Sequence, residues 1–194
     1  MKKFFALLLL AALFGAVPLF ADDVDDVKAR IVKQCELGAK GDFAGVLALC
    51  APDYREISSD GRTFNYEQIK WLMLSLDGKH PGEFLLVTAT IKNNGAMPPA
   101  DVISKLRLAA RDPEIVKKYE GLIPQLAAMM KAAAALELKT LKFDSVKLYG
   151  DNAVVIIRYD SKDEKSGEIK QKTEIVVLRK IDSEWKLCRT VVFF

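Results

Sequence analysis

Arg158, Tyr159 and Asp160 stand side by side. Residues two apart in a strand share a face, so the Arg158 guanidinium and the Asp160 carboxylate point the same way and can pair. The plain reading of such a pair is an ion pair near the surface at a strand end. Further on, strand alternation puts Trp185, Leu187, Arg189 and Val191 on one face. An arginine among apolar neighbours needs an acidic partner, for which Glu174 and Asp160 are the candidates, or an anionic ligand. The remaining chemistry-bearing types are sparse. His80, between Lys79 and Pro81, is the only histidine, and Cys35, Cys50 and Cys188 lack the clustered spacing that recruits zinc. Neither a phosphate-cradling glycine loop nor a nucleophile elbow is found, so no metal or cofactor is expected.

Two of the cysteines have a geometric relation. Val24, Val27, Ile31, Cys35 and Gly38 recur at three- and four-residue steps, as do Phe43, Val46, Leu47 and Cys50, and Lys40-Gly41-Asp42 reads as a tight turn between two helices. Cys35 and Cys50 then lie at similar distances either side of the turn and can meet across it as a disulfide. Equally, both can be small buried apolar residues.

These residues follow an N-terminus with the layout of a secretory signal: Lys2 and Lys3, an apolar run from Phe4 to Phe14, the breakers Gly15 and Pro18, then Leu19-Phe20-Ala21 before Asp22-Asp23. Cleavage near Ala21 is expected to leave a periplasmic or secreted protein that is not embedded in a membrane. Residues 1–21 contain two lysines and no acid, so the formal charge of +3 falls to +1 in the 173 residues left, a length that suits one domain. No basic stripe with interleaved aromatics remains, which speaks against nucleic acid as a partner.

Helices are predicted over 24–39 and 43–50, the second ended by Pro52. A short extended piece over 54–58 turns at Ser59-Asp60-Gly61-Arg62, and a third helix is capped by Asn65 with Gln68 and closes at Gly78. Residues 83–91 are rich in β-branched types and read as a strand, although Phe84, Val87 and Ile91 also fit a helical face. Residues 93–137 turn helical, with Asp112-Pro113 as cap and first turn. Its alanines (Ala127, Ala128 and Ala132 to Ala135) favour helix but offer little to bury, so this segment packs closely or covers something. From Thr140 onward the chain reads as strand. Leu141 and Phe143 set one phase and Val146 and Leu148 the other, which predicts a β-bulge at Asp144-Ser145. Long hairpin-linked strands follow over 154–159, 169–181 and 185–193.

This order, two helices, a short hairpin, a third helix and a bulged antiparallel meander, resembles the nuclear transport factor 2-like superfamily. Local text agrees: Gly41-Asp42-Phe43, Ala51-Pro52-Asp53-Tyr54, Asp60-Gly61, Leu178-Arg179-Lys180-Ile181 and Glu184-Trp185-Lys186-Leu187 are similar to its polyketide-cyclase-like and small secreted members. The resemblance implies an α+β fold in which a cone-shaped, curved antiparallel sheet packs on the N-terminal helices, here with helices inserted at about 82–138. It also implies a ligand pocket at the mouth, for which Tyr54, Tyr66, Trp71, Trp185 and Arg189 are the candidate lining residues.

The isomerase members of that superfamily use a carboxylate base near the end of the first strand. Here Ser58 falls near that position, with Glu56 and Asp60 as neighbours, and the first helix has no tyrosine to serve as the accompanying phenol. The epoxide-hydrolase-like members use an arginine and aspartate similar to Arg158 and Asp160, with a second carboxylate that Glu174 would have to supply. The expectation is therefore an exported, non-catalytic module that binds a small apolar or anionic ligand or a protein partner. The alternative is a hydrolase or isomerase using Arg158, Asp160 and Glu174. Convergent carboxylates in a deep pocket would favour the enzyme. Strands apolar on both faces predict a homodimer formed through the sheet. The insertion is too apolar for a solvated linker and must be a lid, whose Met129-Met130 pair lines the mouth, a partner-binding arm, or an added structural layer.

Overall fold

A computed structural model of the chain describes residues 18–76, 81–163 and 166–193. The signal-like segment up to Val17, the Gly78 helix stop and His80 lie outside the described residues. Helix α1 spans Pro18–Lys40 and buries Val27, Ile31 and Cys35, one residue per turn along a single stripe. Gly41 takes a φ of +78° and reverses the chain into α2, Phe43–Ala48, which is capped by the Asp42 carboxylate accepting from the Gly45 N–H.

Strand β1 then runs over Cys50–Ile57 and turns, through Gly61 at φ +83°, into the short β2, Thr63–Asn65. Helix α3, Tyr66–Ser75, starts at the predicted capping box, Asn65 accepting from the Gln68 N–H and the Gln68 side chain accepting from the Asn65 N–H.

The helical middle consists of α4 (Pro81–Lys92), α5 (Ala100–Ala109), α6 (Pro113–Glu120) and α7 (Leu122–Thr140). The strand expected over 83–91 is thus a helix. Its β-branched residues are overruled by tertiary burial: Leu86 and Val87 meet Trp71 of α3 in a second small core, with Leu72, Ile103 and Leu106 around it, and the Thr88 hydroxyl returns to the Phe84 carbonyl one turn back. Of the insertion only part forms a layer of its own. Helix α7 instead lies along α1 and against the sheet, and the close approach is made by small residues. A Cβ built on Gly38 would sit 2.9 Å from the Ala134 Cβ. Met129 is 53% exposed and so lines no inner site, whereas Met130 is half-buried. Among the described residues no helix is long and apolar enough to cross a membrane.

Four long strands complete the chain: β3 (Lys142–Tyr149), β4 (Asn152–Lys162), β5 (Ile169–Ile181) and β6 (Glu184–Phe193). The sheet is open and curved, in the order β2-β1-β6-β5-β4-β3. It is mixed rather than wholly antiparallel, because β1 lies parallel to β6 and reaches it only through the whole helical middle and the meander. The bulge predicted at Asp144-Ser145 is present between Phe143 and Ser145. A second bulge was not anticipated: Val177 pairs with Arg189 but Leu178 pairs with Leu187, so Cys188 is the extra residue in β6. The inner face carries the main core, including Ala153, Val155 and Ile157 of β4, Val176 and Leu178 of β5, and Leu187 of β6, closed by Val27 and Ile31 of α1.

Candidate functional site

At one end of this inner face the apolar pattern stops and polar side chains take over. On β5, Glu174 occupies a core-facing position and is only 7% exposed. Lys172, two residues earlier, shares its face and pairs in register with Tyr159 of β4. The Tyr159 hydroxyl donates to Glu174 Oε2 at 2.8 Å, and both side chains are buried. On β1, Glu56 lies in register with Thr190 of β6, two positions after the buried Tyr54. From the helical side α7 contributes Glu137, whose Oε1 accepts from the Cys35 thiol of α1 at 3.3 Å. Three carboxyls, one ammonium, two phenols, a thiol and a hydroxyl therefore gather from β1, β4, β5, β6, α1 and α7. Glu174, Tyr54, Tyr159 and Thr190 are buried, whereas Glu56 and Glu137 are half-buried and form the solvent side of the group.

Electrostatics follow from this crowding. Burial raises the Glu174 carboxyl above the usual range, and repulsion from Glu137 and Glu56 adds to it; the bond from Tyr159 and the charge of Lys172 oppose, leaving it at about 8. Glu137 is raised mainly by desolvation, against its bond from Cys35 and the Lys172 charge. Glu56 is raised for the same first reason, with the nearby Tyr54 hydroxyl and Lys172 opposing. The Tyr159 phenol is pushed far up by burial and by the carboxylates around it, so it stays a donor. At neutral pH the group therefore holds a protonated carboxyl at Glu174 beside two less enclosed carboxyls. Thr190 Oγ1 is buried without a hydrogen-bond partner, the Tyr54 hydroxyl lying beside it outside hydrogen-bonding geometry.

The residues singled out from the sequence fare unevenly. Glu174 and Tyr54 are in the group. Arg158 and Asp160 are not: the buried face of β4 carries residues 153, 155, 157 and 159, which turns both to the opposite face. Arg158 there forms a two-pronged ion pair with Asp144, its Nη2 2.7 Å from Oδ1 and its Nε on Oδ2. The bulge beside Asp144 supplies this partner in place of Asp160, whose backbone N–H donates to the Thr140 hydroxyl. Arg189 is exposed because the bulge at Cys188 shifts the alternation of β6, turning Thr190 inward in its place. Trp185, near the start of β6, is buried in the main core opposite Lys180 of β5, Trp71 belongs to the second core, and Tyr66 packs on the edge of the main one.

The Cys35–Cys50 disulfide is not formed. Both thiols are free, because Cys50 opens β1 rather than closing α2 and its sulfur turns to the Val46 carbonyl while Cys35 turns to Glu137.

Sequence reasoning missed Tyr159, Lys172, Glu137 and Thr190. Strand alternation could have found the first two, since Tyr159 is the inward member of its triplet and Lys172 shares the face of Glu174. A lone acid between Leu136 and Leu138 was the signal for Glu137. Nothing local announced Thr190, because its orientation depends on an unseen bulge.

In fold the chain is similar to a nuclear transport factor 2-like protein with a cystatin-like fold from Novosphingobium aromaticivorans, with a TM-score of 0.50 over 93% of this chain and 87% of that one at 11% identity. A nuclear transport factor 2-like protein of unknown function from Shewanella oneidensis aligns at a TM-score of 0.44 and 15% identity, covering 88% of this chain and 98% of that one. A ketosteroid isomerase-like protein from Erwinia carotovora atroseptica aligns at 0.46 and 10%, covering 88% and 95%. No family model and no curated protein matches the chain. The fold is thus the nuclear transport factor 2-like one; the likeness says nothing of activity.

Proposed function

We propose that this chain is an exported module that binds a small polar molecule at the inner end of the sheet, against Glu56, Glu137, Glu174, Tyr159 and Thr190. The observation that carries it is the convergence of three carboxyls from β1, β5 and α7 on a face that is otherwise core. A fold gains nothing in stability from collecting like charges in a partly dry place, since each one costs desolvation and mutual repulsion. Polar groups held at such a cost are a mark of a working site. Export rests on the layout of Lys2 to Ala21. A nuclear magnetic resonance screen of small polar compounds tests the reading: binders should shift Tyr159, Thr190 and Glu56. Shifts confined to the open groove lined by Asp60, Arg62 and Asn94 would overturn it.

A second reading, proton-transfer catalysis, is favoured by one further detail. Glu174, protonated and bonded to Tyr159, is an acid poised near neutral pH, and Glu56 or Glu137 beside it is a base. Such a pair suits an isomerase, and replaces the Arg158 and Asp160 machinery as the catalytic candidate. Incubating a bound carbonyl compound in heavy water separates the readings: a catalyst exchanges its acidic C–H for deuterium, and a binding module leaves it untouched.

A further inference from the structure

We infer that the molecule taken by this site is a small organic cation, an ammonium or guanidinium compound, rather than the apolar or anionic ligand expected from the sequence. The inference rests on the small-molecule reading above and names the ligand class.

Charge comes first. Glu56, Glu137 and Glu174 face one another, and among the described residues Lys172 is the one cation that acts on each of them. Three other basic side chains near this part of the sheet are paired or turned elsewhere. Arg158 is held by Asp144, Lys170 by Asp163, and Arg189 is turned out by the bulge. Glu56 and Glu137 thus share a single ammonium, and a positive charge arriving between them would favour the ionised form of both, which burial opposes.

Hydrogen-bonding capacity agrees. In their ionised forms Glu56 and Glu137 only accept, and Glu137 already has the Cys35 thiol as one donor. The Tyr159 proton is spent on Glu174. Thr190 Oγ1, buried and unpartnered beside Glu56, has acceptor lone pairs to offer. The Glu56 and Glu137 oxygens and Thr190 Oγ1 leave acceptor positions open, and an ammonium or guanidinium is a compact cluster of donors with no acceptor of its own.

A bare metal ion is the poorer complement. Among the described residues no three acidic, thiol or imidazole groups lie close enough together to hold a metal ion. The acids come from three separate elements, β1, β5 and α7, which suits a multi-atom cation that presents donors in several directions.

Calorimetry on the purified protein tests this with matched pairs: choline against 3,3-dimethylbutan-1-ol, and propylguanidinium against propylurea. Binding should favour the cation of at least one pair by about tenfold or more, fall with added salt, and lose that preference in Glu56→Gln and Glu137→Gln. Thr190→Val, which leaves the charges in place, should weaken cation binding without abolishing the preference. Neutral members that bind as tightly as the cations and shift Tyr159 would overturn the cation and leave the small-molecule reading standing. Cation binding that is unchanged in both glutamine variants, or magnesium or zinc bound in preference to either cation, would also overturn it. If no compound of either charge perturbs the cluster, the inference and the reading beneath it fall together.

Discussion

Glu174 combines a core position with an ionisable group, and its behaviour with pH follows from that. Folding raises its pKa from the ordinary carboxylate range to about 8. Between those two values the folded state keeps a proton that the unfolded state has released, so its contribution is complete below the ordinary range and is lost as pH rises through about 8. Glu56 and Glu137 are shifted in the same direction and steepen the loss. The melting temperature of the protein should therefore fall between about pH 5 and pH 8, and Glu174→Gln should flatten the fall; an equal slope in the variant would remove Glu174 from the account. Arg158, by contrast, is half-exposed on the other face with Asp144. Arg158→Ala should change neither ligand affinity nor the pH profile, whereas loss of binding would restore it to the site. The contrast also shows what a short motif can tell. The triplet 158–160 was located from sequence as chemically loaded, but its working member is Tyr159, because which face of β4 is buried is settled by helices distant in the chain.

At the scale of elements, the placement of Glu137 depends on how closely α7 can approach α1. Gly38 and Ala134 set that distance, since a Cβ on Gly38 would stand 2.9 Å from the Ala134 Cβ. Gly38→Ala should cost about 1–3 kcal/mol by overpacking, read from urea denaturation, and should weaken ligand binding because α7 carries Glu137 away from Glu174. Adding Ala134→Gly should recover much of the loss. A single variant as stable as the parent would mean the two helices are free to separate. The alanine-rich stretch had been legible as a segment that packs closely, although not what it packs on. Elements with their own local signals were equally legible: the Asn65 capping box, the turn at Gly61 and the bulge at Asp144. Residues 83–91 were not, because β-branched composition favours a strand while the burial of Leu86 and Val87 against Trp71, a tertiary fact, selects the helix. The bulge at Cys188 left no sequence trace, and it misplaced Arg189 and hid Thr190 together.

At the scale of the whole molecule, the sheet has two unlike faces. The inner one holds the core and the polar cluster, and the outer one leaves Val154, Ile156, Ile175 and Val177 only half-buried. Such a surface favours association of two sheets back to back, and light scattering at micromolar concentration should give the mass of a dimer; a monomer mass would remove that expectation. The central claim is that segments remote in sequence bring Glu56, Glu137 and Glu174 into one partly dry site. Carbon-13 resonance of glutamate side-chain carboxyls, followed from about pH 4 to pH 10 in protein labelled at glutamate, tests it most directly. The Glu174 carboxyl should titrate near 8, and Glu137→Gln should lower that value by removing a neighbouring charge. A Glu174 that titrates in the ordinary carboxylate range, and does not respond to Glu137→Gln, would contradict the account.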